Sequence, residues 1–202
     1  MSKVRQSLPS LCSQIVSKLN EEIMATAAKT VWKIDPAHTE VHFKVRHMMV
    51  STVTGAFQSF EGHLESNGDD FNDAHVEFHA DIDSISTNNK QRDNHLKSAD
   101  FFDAAQFPKI HFESSKLKEV KKEHYQLEGN LTLRGVTQAV SLDVVFNGIV
   151  TDPYGNTKAG FELSGTISRK DFGLKWNPLT EAGSVVVSDK VRLVINAQLI
   201  KS

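Results

Sequence analysis

The sequence predicts an all-β fold: an antiparallel, closed β-barrel of about eight strands with a short inserted helix and an N-terminal helical extension. Three observations carry that prediction. From Val31 onward apolar residues recur at every second position, the period of a strand with one buried face. Turn-forming residues separate the runs, at Asn67-Gly68-Asp69, Arg134-Gly135 and Asp152-Pro153-Tyr154-Gly155-Asn156. No second set of helical segments is available to cover an open sheet, and closure removes the unpaired edges that would otherwise aggregate.

The elements follow in chain order. Leu11, Ile15, Leu19 and Ile23 recur every four residues among polar neighbours, which predicts an amphipathic helix over residues 10–24 within an extension covering 1–29. Met24, followed by Ala-Thr-Ala-Ala, is a second plausible translation start. The barrel domain is placed at 30–202. Val41, Phe43 and Val45 alternate with His42, Lys44 and Arg46, and Ala74, Val76, Phe78, Ala80 and Ile82 alternate with His75, Glu77, His79 and Asp81. The same design returns in Tyr125, Leu127, Gly129, Leu131 and Leu133, and in Val140, Leu142, Val144 and Phe146. It continues in Phe161, Leu163, Gly165 and Ile167, and in Val191, Leu193, Ile195, Ala197 and Leu199. Short loops between such strands require antiparallel neighbours, because parallel pairing needs a long crossover. One insertion interrupts the pattern: residues 88–100 are polar and helix-compatible, and Phe101 and Phe102 follow at once to dock that helix on the barrel.

Composition removes several function classes. The 23 basic and 25 acidic residues are spread along the chain, so no extended basic field exists for a nucleic-acid backbone. Cys12 is the single cysteine, which excludes an intrachain disulfide and any zinc site built on two thiolates. No stretch approaches the roughly 20 apolar residues of a membrane-spanning helix. The apolar run near the N-terminus is broken rather than continuous, so no secretory signal is read and a cytoplasmic protein is expected. The basic, serine-containing start is also compatible with an organellar transit peptide, although its basic residues are few.

Nine histidines invite a metal hypothesis. His75-x-Glu77-x-His79 presents three donors on one strand face, but alternate strand positions lie about 7 Å apart and a tetrahedral site also needs ligands from other strands. A solvated polar face is the preferred reading, and neither metal nor cofactor is assigned. His38 and His42 are four apart on a strand, where that spacing does not pair them. Catalysis finds little support: there is no Gly-x-Ser-x-Gly elbow, no phosphate-cradling glycine loop and no cysteine within the barrel. His47 shares the inward parity of Val41, Phe43 and Val45. It is read either as a core histidine bonded to a backbone carbonyl or as a cap on a ligand's polar head. Arg92, Asp93 and His95 on the inserted segment read as a structural latch, and Asp171 beside Arg169 and Lys170 as a tie at a strand end.

Several segments together resemble the YceI-like, polyisoprenoid-binding family. They are Trp32-Lys33-Ile34-Asp35-Pro36-Ala37-His38-Thr39, His47, Gly55-Ala56-Phe57, Ser84-Ile85-Ser86-Thr87, the run from Arg92 to Asp103, Phe107-Pro108-Lys109-Ile110, Gly129-Asn130-Leu131-Thr132, and Arg169-Lys170-Asp171-Phe172-Gly173-Leu174. The most specific are His-Leu-x-Ser-x-x-Phe-Phe and Arg-x-x-Phe-Gly. The resemblance implies a lipocalin-like barrel around an elongated apolar channel that holds an isoprenoid chain, and it implies a homodimer.

Gly129 and Gly165, on the apolar parity, either let a strand bend or leave room for a guest. With the family likeness the cavity is favoured over a filled core. Inward parity and aromatic size select Val41, Phe43, Val45, Phe57, Phe78, Leu131, Phe146, Phe161 and Phe172 as channel lining, with His47 and Trp176 as head-group contacts at the mouth. The expected activity is to sequester or carry an apolar lipid unchanged. A histidine-dependent enzyme acting on a hydrophobic substrate and a closed-core structural barrel are the competing readings.

Overall fold

The computed structural model describes residues 29–177 and 186–202, and the expected helix over 10–24 lies outside them. Eleven strands are present among the described residues: β1 (Thr30–Ile34), β2 (Glu40–His47), β3 (Ser51–Phe57), β4 (Phe60–Asn67), β5 (Asp70–Asp81), β6 (Ile85–Ser86), β7 (Lys109–Lys121), β8 (His124–Leu133), β9 (Val136–Thr151), β10 (Thr157–Ser168) and β11 (Val187–Lys201). One α-helix, α1 (Lys90–Lys97), is inserted before β7. No helix among the described residues is long and apolar enough to cross a membrane.

Pairing resolves the eleven strands into eight staves. β1 and β2 are two halves of one bent stave, since β1 pairs with β4 while β2 pairs with β3. β3 with β4, and β5 with β6, are bent in the same way. The remaining staves, β7 to β11, follow as an antiparallel meander, and β11 closes the barrel against both β1 and β2, with Leu199 opposite Ile34 and Ile195 opposite Val41. The expected eight-stranded closed barrel is therefore the observed one.

The first bend has a local cause. Pro36 offers no backbone donor, and the Asp35 carboxylate accepts from the Ala37 amide at 3.1 Å and bonds His38 Nδ1 at 2.8 Å. That short 3-10 turn interrupts the ladder before Glu40 resumes it. The β8–β9 hairpin turns on Arg134 and Gly135, both at positive φ, as a two-residue primed turn requires.

Gly129 stands where the β7–β8 register shifts, and neither Gly129 nor Gly165 leaves open room for a guest. A Cβ at Gly129 would strike the Phe112 ring, and one at Gly165 would strike Leu142. Each glycine admits a side chain from the neighbouring strand instead of widening the interior for a guest.

Helix α1 begins at Asn89, whose side chain accepts from the Arg92 amide at 3.0 Å. It is shorter than the polar run that predicted it. Phe101 is buried after the helix, and Phe102 meets Phe57 edge-on at 6.3 Å, so both phenylalanines dock the insertion as expected. The end of the barrel opposite α1 is filled by aromatic rings. Phe71 stands 5.4 Å from Trp32, 5.2 Å from Phe146 and 5.1 Å from Phe161, measured between ring centroids. Burial of each such ring contributes about 1.5–3 kcal/mol.

Candidate functional site

Above the aromatic floor the staves enclose a cavity of about 630 Å³. Its wall comes from inward positions of the staves, and its mouth lies at the end that carries the β2–β3 hairpin, α1 and the segment after β10.

Most residues selected from the sequence meet there. Val41, Phe43, Val45 and His47 line it from β2, Phe57 from β3, Phe78 from β5, Leu131 from β8 and Phe161 from β10. Trp176 joins them at the mouth. Phe146 and Phe172 do not line the cavity. Phe146 has the inward parity but sits below the open space, its ring 5.3 Å from Phe161 within the floor. Phe172 lies on a 3-10 turn, Arg169–Phe172, where strand parity has no meaning, and it is wholly buried beneath that turn.

Selection by aromatic size also passed over aliphatic wall residues. Leu127, Leu142, Leu163, Leu193 and Ile195 line the cavity and share the parity of the residues chosen. Leu117 was harder to see, because a register shift between Ser114 and Lys116 breaks the alternation of β7 before reaching it.

Buried polar side chains hold the mouth in shape. Arg169 is 4% exposed and donates to the carbonyls of Leu174 at 2.6 Å, Trp176 at 2.8 Å and Ser188 at 3.0 Å. Burial pushes its guanidinium below the ordinary arginine value, and the carboxylate of Asp189 at 3.4 Å opposes that shift. The strand-end tie expected at Asp171 is thus made by Asp189, while Asp171 accepts from Ser168 Oγ at 3.0 Å. Arg134, which sequence reasoning did not single out, donates to Ala99 O at 2.8 Å and Gly173 O at 3.2 Å. It joins the exit of α1 to the turn after β10.

The latch predicted on the insertion is present. Arg92 donates through Nε to Thr87 Oγ1 at 2.7 Å and through a terminal nitrogen to Thr87 O at 2.8 Å, and Asp93 accepts from the Thr87 amide at 2.8 Å. His95 bonds Asp100 at 3.1 Å, and its ring meets Trp176 and Phe101 edge-on at 4.7 and 5.1 Å. Each rim group so tied has its polarity answered by the protein, and the interior below presents mainly aliphatic and aromatic carbon. Among the described residues, no carboxylate lies within 4.0 Å of His47 to orient it as a base.

The outer face is the part-exposed polar row that was expected, with further neighbours across the sheet. His75, Glu77 and His79 do point outward, but ligand-type residues from adjacent strands join them: His63 of β4 stands opposite Glu77, and His111 of β7 opposite His79.

A closed eight-stave barrel around an apolar cavity defines a lipocalin-like architecture. The YceI-like domain matches residues 32–199, and the chain belongs to that family. A UPF0312 protein of Staphylococcus aureus strain N315 is 36% identical over 170 residues, covering 84% of this chain and 96% of the relative. Among solved structures, a YCEI protein of Campylobacter jejuni is 29% identical with a TM-score of 0.65 over 76% of this chain and 87% of its own. BcnA of Burkholderia cenocepacia shares the fold at 20% identity, with a TM-score of 0.71 over 82% of this chain and 98% of its own. A polyisoprenoid binding domain from Saccharophagus degradans shares it at 14% identity, with a TM-score of 0.65 over 85% and 98%.

Proposed function

We propose that the protein sequesters or carries a long apolar ligand of isoprenoid type, held in the barrel and released chemically unchanged. The observation that carries this reading is the 630 Å³ cavity, which falls in the range of small-molecule sites and is walled by alternate residues of the staves. The polyisoprenoid binding domain of S. degradans supports the choice of chain type. Each CH₂-sized unit removed from water contributes about 0.8 kcal/mol, and association costs roughly 4–15 kcal/mol of lost freedom. Twenty buried units give about 16 kcal/mol gross, which exceeds that whole range of cost, so long chains are favoured over short prenols. His47 and Trp176 read the head group, one as a polar contact at the end of β2 and the other through an indole donor. The homodimer implied by the family resemblance belongs to the same proposal.

The test is native mass spectrometry of freshly purified protein. It is followed by titration with a polyprenol, a prenylated quinone and a fatty acid, with and without chelator, and each ligand is recovered for chemical analysis. Retention of an unaltered isoprenoid is expected, and sedimentation at micromolar concentration should give a dimer. An altered ligand, or no uptake of any of the three, overturns the carrier.

A further inference from the structure

We propose that the outer face of the barrel carries a site for a borderline divalent transition-metal ion, with Zn²⁺ as the reference ion, built from Glu77, His79 and His111. The donor atoms of these three residues lie within 4.8 Å of one another. Glu77 Oε1 is 3.1 Å from His79 Nε2 and 3.6 Å from His111 Nε2. Two ligands of a tetrahedral zinc, each at about 2.0–2.1 Å from the ion, stand roughly 3.3 Å apart, so both spacings bracket the required one. The two imidazoles stack at 4.5 Å with an interplanar angle of 10°, so a ring must turn out of the stack for both nitrogens to face one ion.

A second observation points to a ligand. His111 Nε2 is shut off from solvent and has no hydrogen-bond partner among the described residues, since the carboxylate oxygen at 3.6 Å is beyond hydrogen-bond reach. An orphaned buried imidazole nitrogen costs stability, and a bound cation relieves it. The site is also held by the sheet itself. His79 and His111 are directly opposed on β5 and β7, and His63 of β4 is opposed to Glu77, its Nε2 3.9 Å from Glu77 Oε2. At that distance His63 is a neighbour of the carboxylate and not a hydrogen-bonded support for it, and water takes the fourth place. Lys109, two residues before His111 on β7, is engaged by Glu61 at 3.2 Å and Asp81 at 3.9 Å. Two imidazoles and one carboxylate suit zinc, copper or nickel and disfavour magnesium and calcium, which demand oxygen shells.

Such an ion would clip β5 to β7 on the outside of the wall, behind Phe78 and Phe112, which oppose each other on the same two strands. It is independent of the lipid reading. The experiment is isothermal titration of the untagged, chelator-stripped full chain with Zn²⁺, together with Co²⁺ absorption and thermal unfolding. One Zn²⁺ per chain, tetrahedral Co²⁺ bands and a raised unfolding temperature are expected. His79→Ala, His111→Ala and Glu77→Gln should each weaken Zn²⁺ by more than the roughly tenfold typical of losing an outer partner, His63→Ala by less than that, and His75→Ala not at all. Circular dichroism confirms that each variant is folded. Three outcomes overturn the site: no saturable binding, affinity unchanged in the His79→Ala/His111→Ala double variant, or half a zinc per chain coupled to dimerisation.

Discussion

The indole nitrogen of Trp32 donates to Ser66 Oγ at 3.0 Å, and Ser66 in turn donates to Gly68 O at 2.6 Å. This buried relay ties the first stave to the β4–β5 turn and lets a wholly enclosed tryptophan seal the floor without an unpaired donor. Ser66→Ala removes the acceptor and strands the indole N–H, at a cost of about 1–3 kcal/mol. Trp32→Phe removes donor and volume together. Urea unfolding of both single variants and the double should show non-additive losses, because the two residues share one interaction.

Arg169 holds the mouth from within. Replacing it with methionine leaves the carbonyls of Leu174, Trp176 and Ser188 without their donor, and a loss of about 1–3 kcal/mol is expected for each that stays buried. Arg169→Lys should recover little of it, since one ammonium cannot reproduce a planar fork of donors. Tryptophan fluorescence provides a local readout: release of the Trp176 segment should shift its emission in the variants at denaturant concentrations where far-UV dichroism is unchanged.

Phe78 and Phe161 were chosen by the same parity rule, yet they should respond differently to a charge. Phe78 is a half-buried wall residue facing the cavity, so Phe78→Glu should abolish lipid retention while the barrel persists. Phe161 also belongs to the floor, in contact with Phe71 and Phe146, and Phe161→Glu should cost folding as well as binding. Lipid retention in native mass spectra, set beside unfolding midpoints, separates the two effects. A Phe78→Glu protein that keeps its lipid would place the ligand elsewhere.

These contrasts show what a one-dimensional pattern can and cannot carry. The period of two in β2, β5 and β8 to β11 was enough to place the inner face, because each stave has one apolar and one polar side and a slip by one residue would invert it. It failed where the chain leaves the strand, as at Phe172, and where a bulge changes phase, as before Leu117. Phe71 was overlooked because it follows the turn at Asn67-Gly68-Asp69, although its ring is the hub of the floor. Depth along the barrel is likewise invisible to parity, which is why Phe146 was assigned to the cavity and lies beneath it. The outer cluster needed cross-strand register: His79 and His111 are 32 positions apart in sequence and neighbours only through the β5–β7 pairing.

Asp35 makes the fold sensitive to acid. Burial alone would raise its carboxyl above the ordinary value of 3.8, but hydrogen bonds from His38, Gln198 and the Ala37 amide outweigh burial and hold it below. The Gln198 amide reaches it from β11 at 2.9 Å and the Lys158 ammonium lies 3.5 Å away, so the carboxylate joins the bend between β1 and β2 to the strand that closes the barrel. A carboxyl depressed in the folded state contributes stability that is fully present above its unfolded pKa and is lost as pH falls through the lower folded value. The wild-type protein should therefore lose stability across the acid side of 3.8, when the Asp35 network is protonated. Asp35→Asn should be less stable than wild type near neutrality and should converge toward it in acid, because the substituted amide has no proton to take up. Urea midpoints for both proteins, measured from about pH 6 down to about pH 2, provide the check. A gap between them that stays constant across that range would show that Asp35 acts through shape and not through its charge.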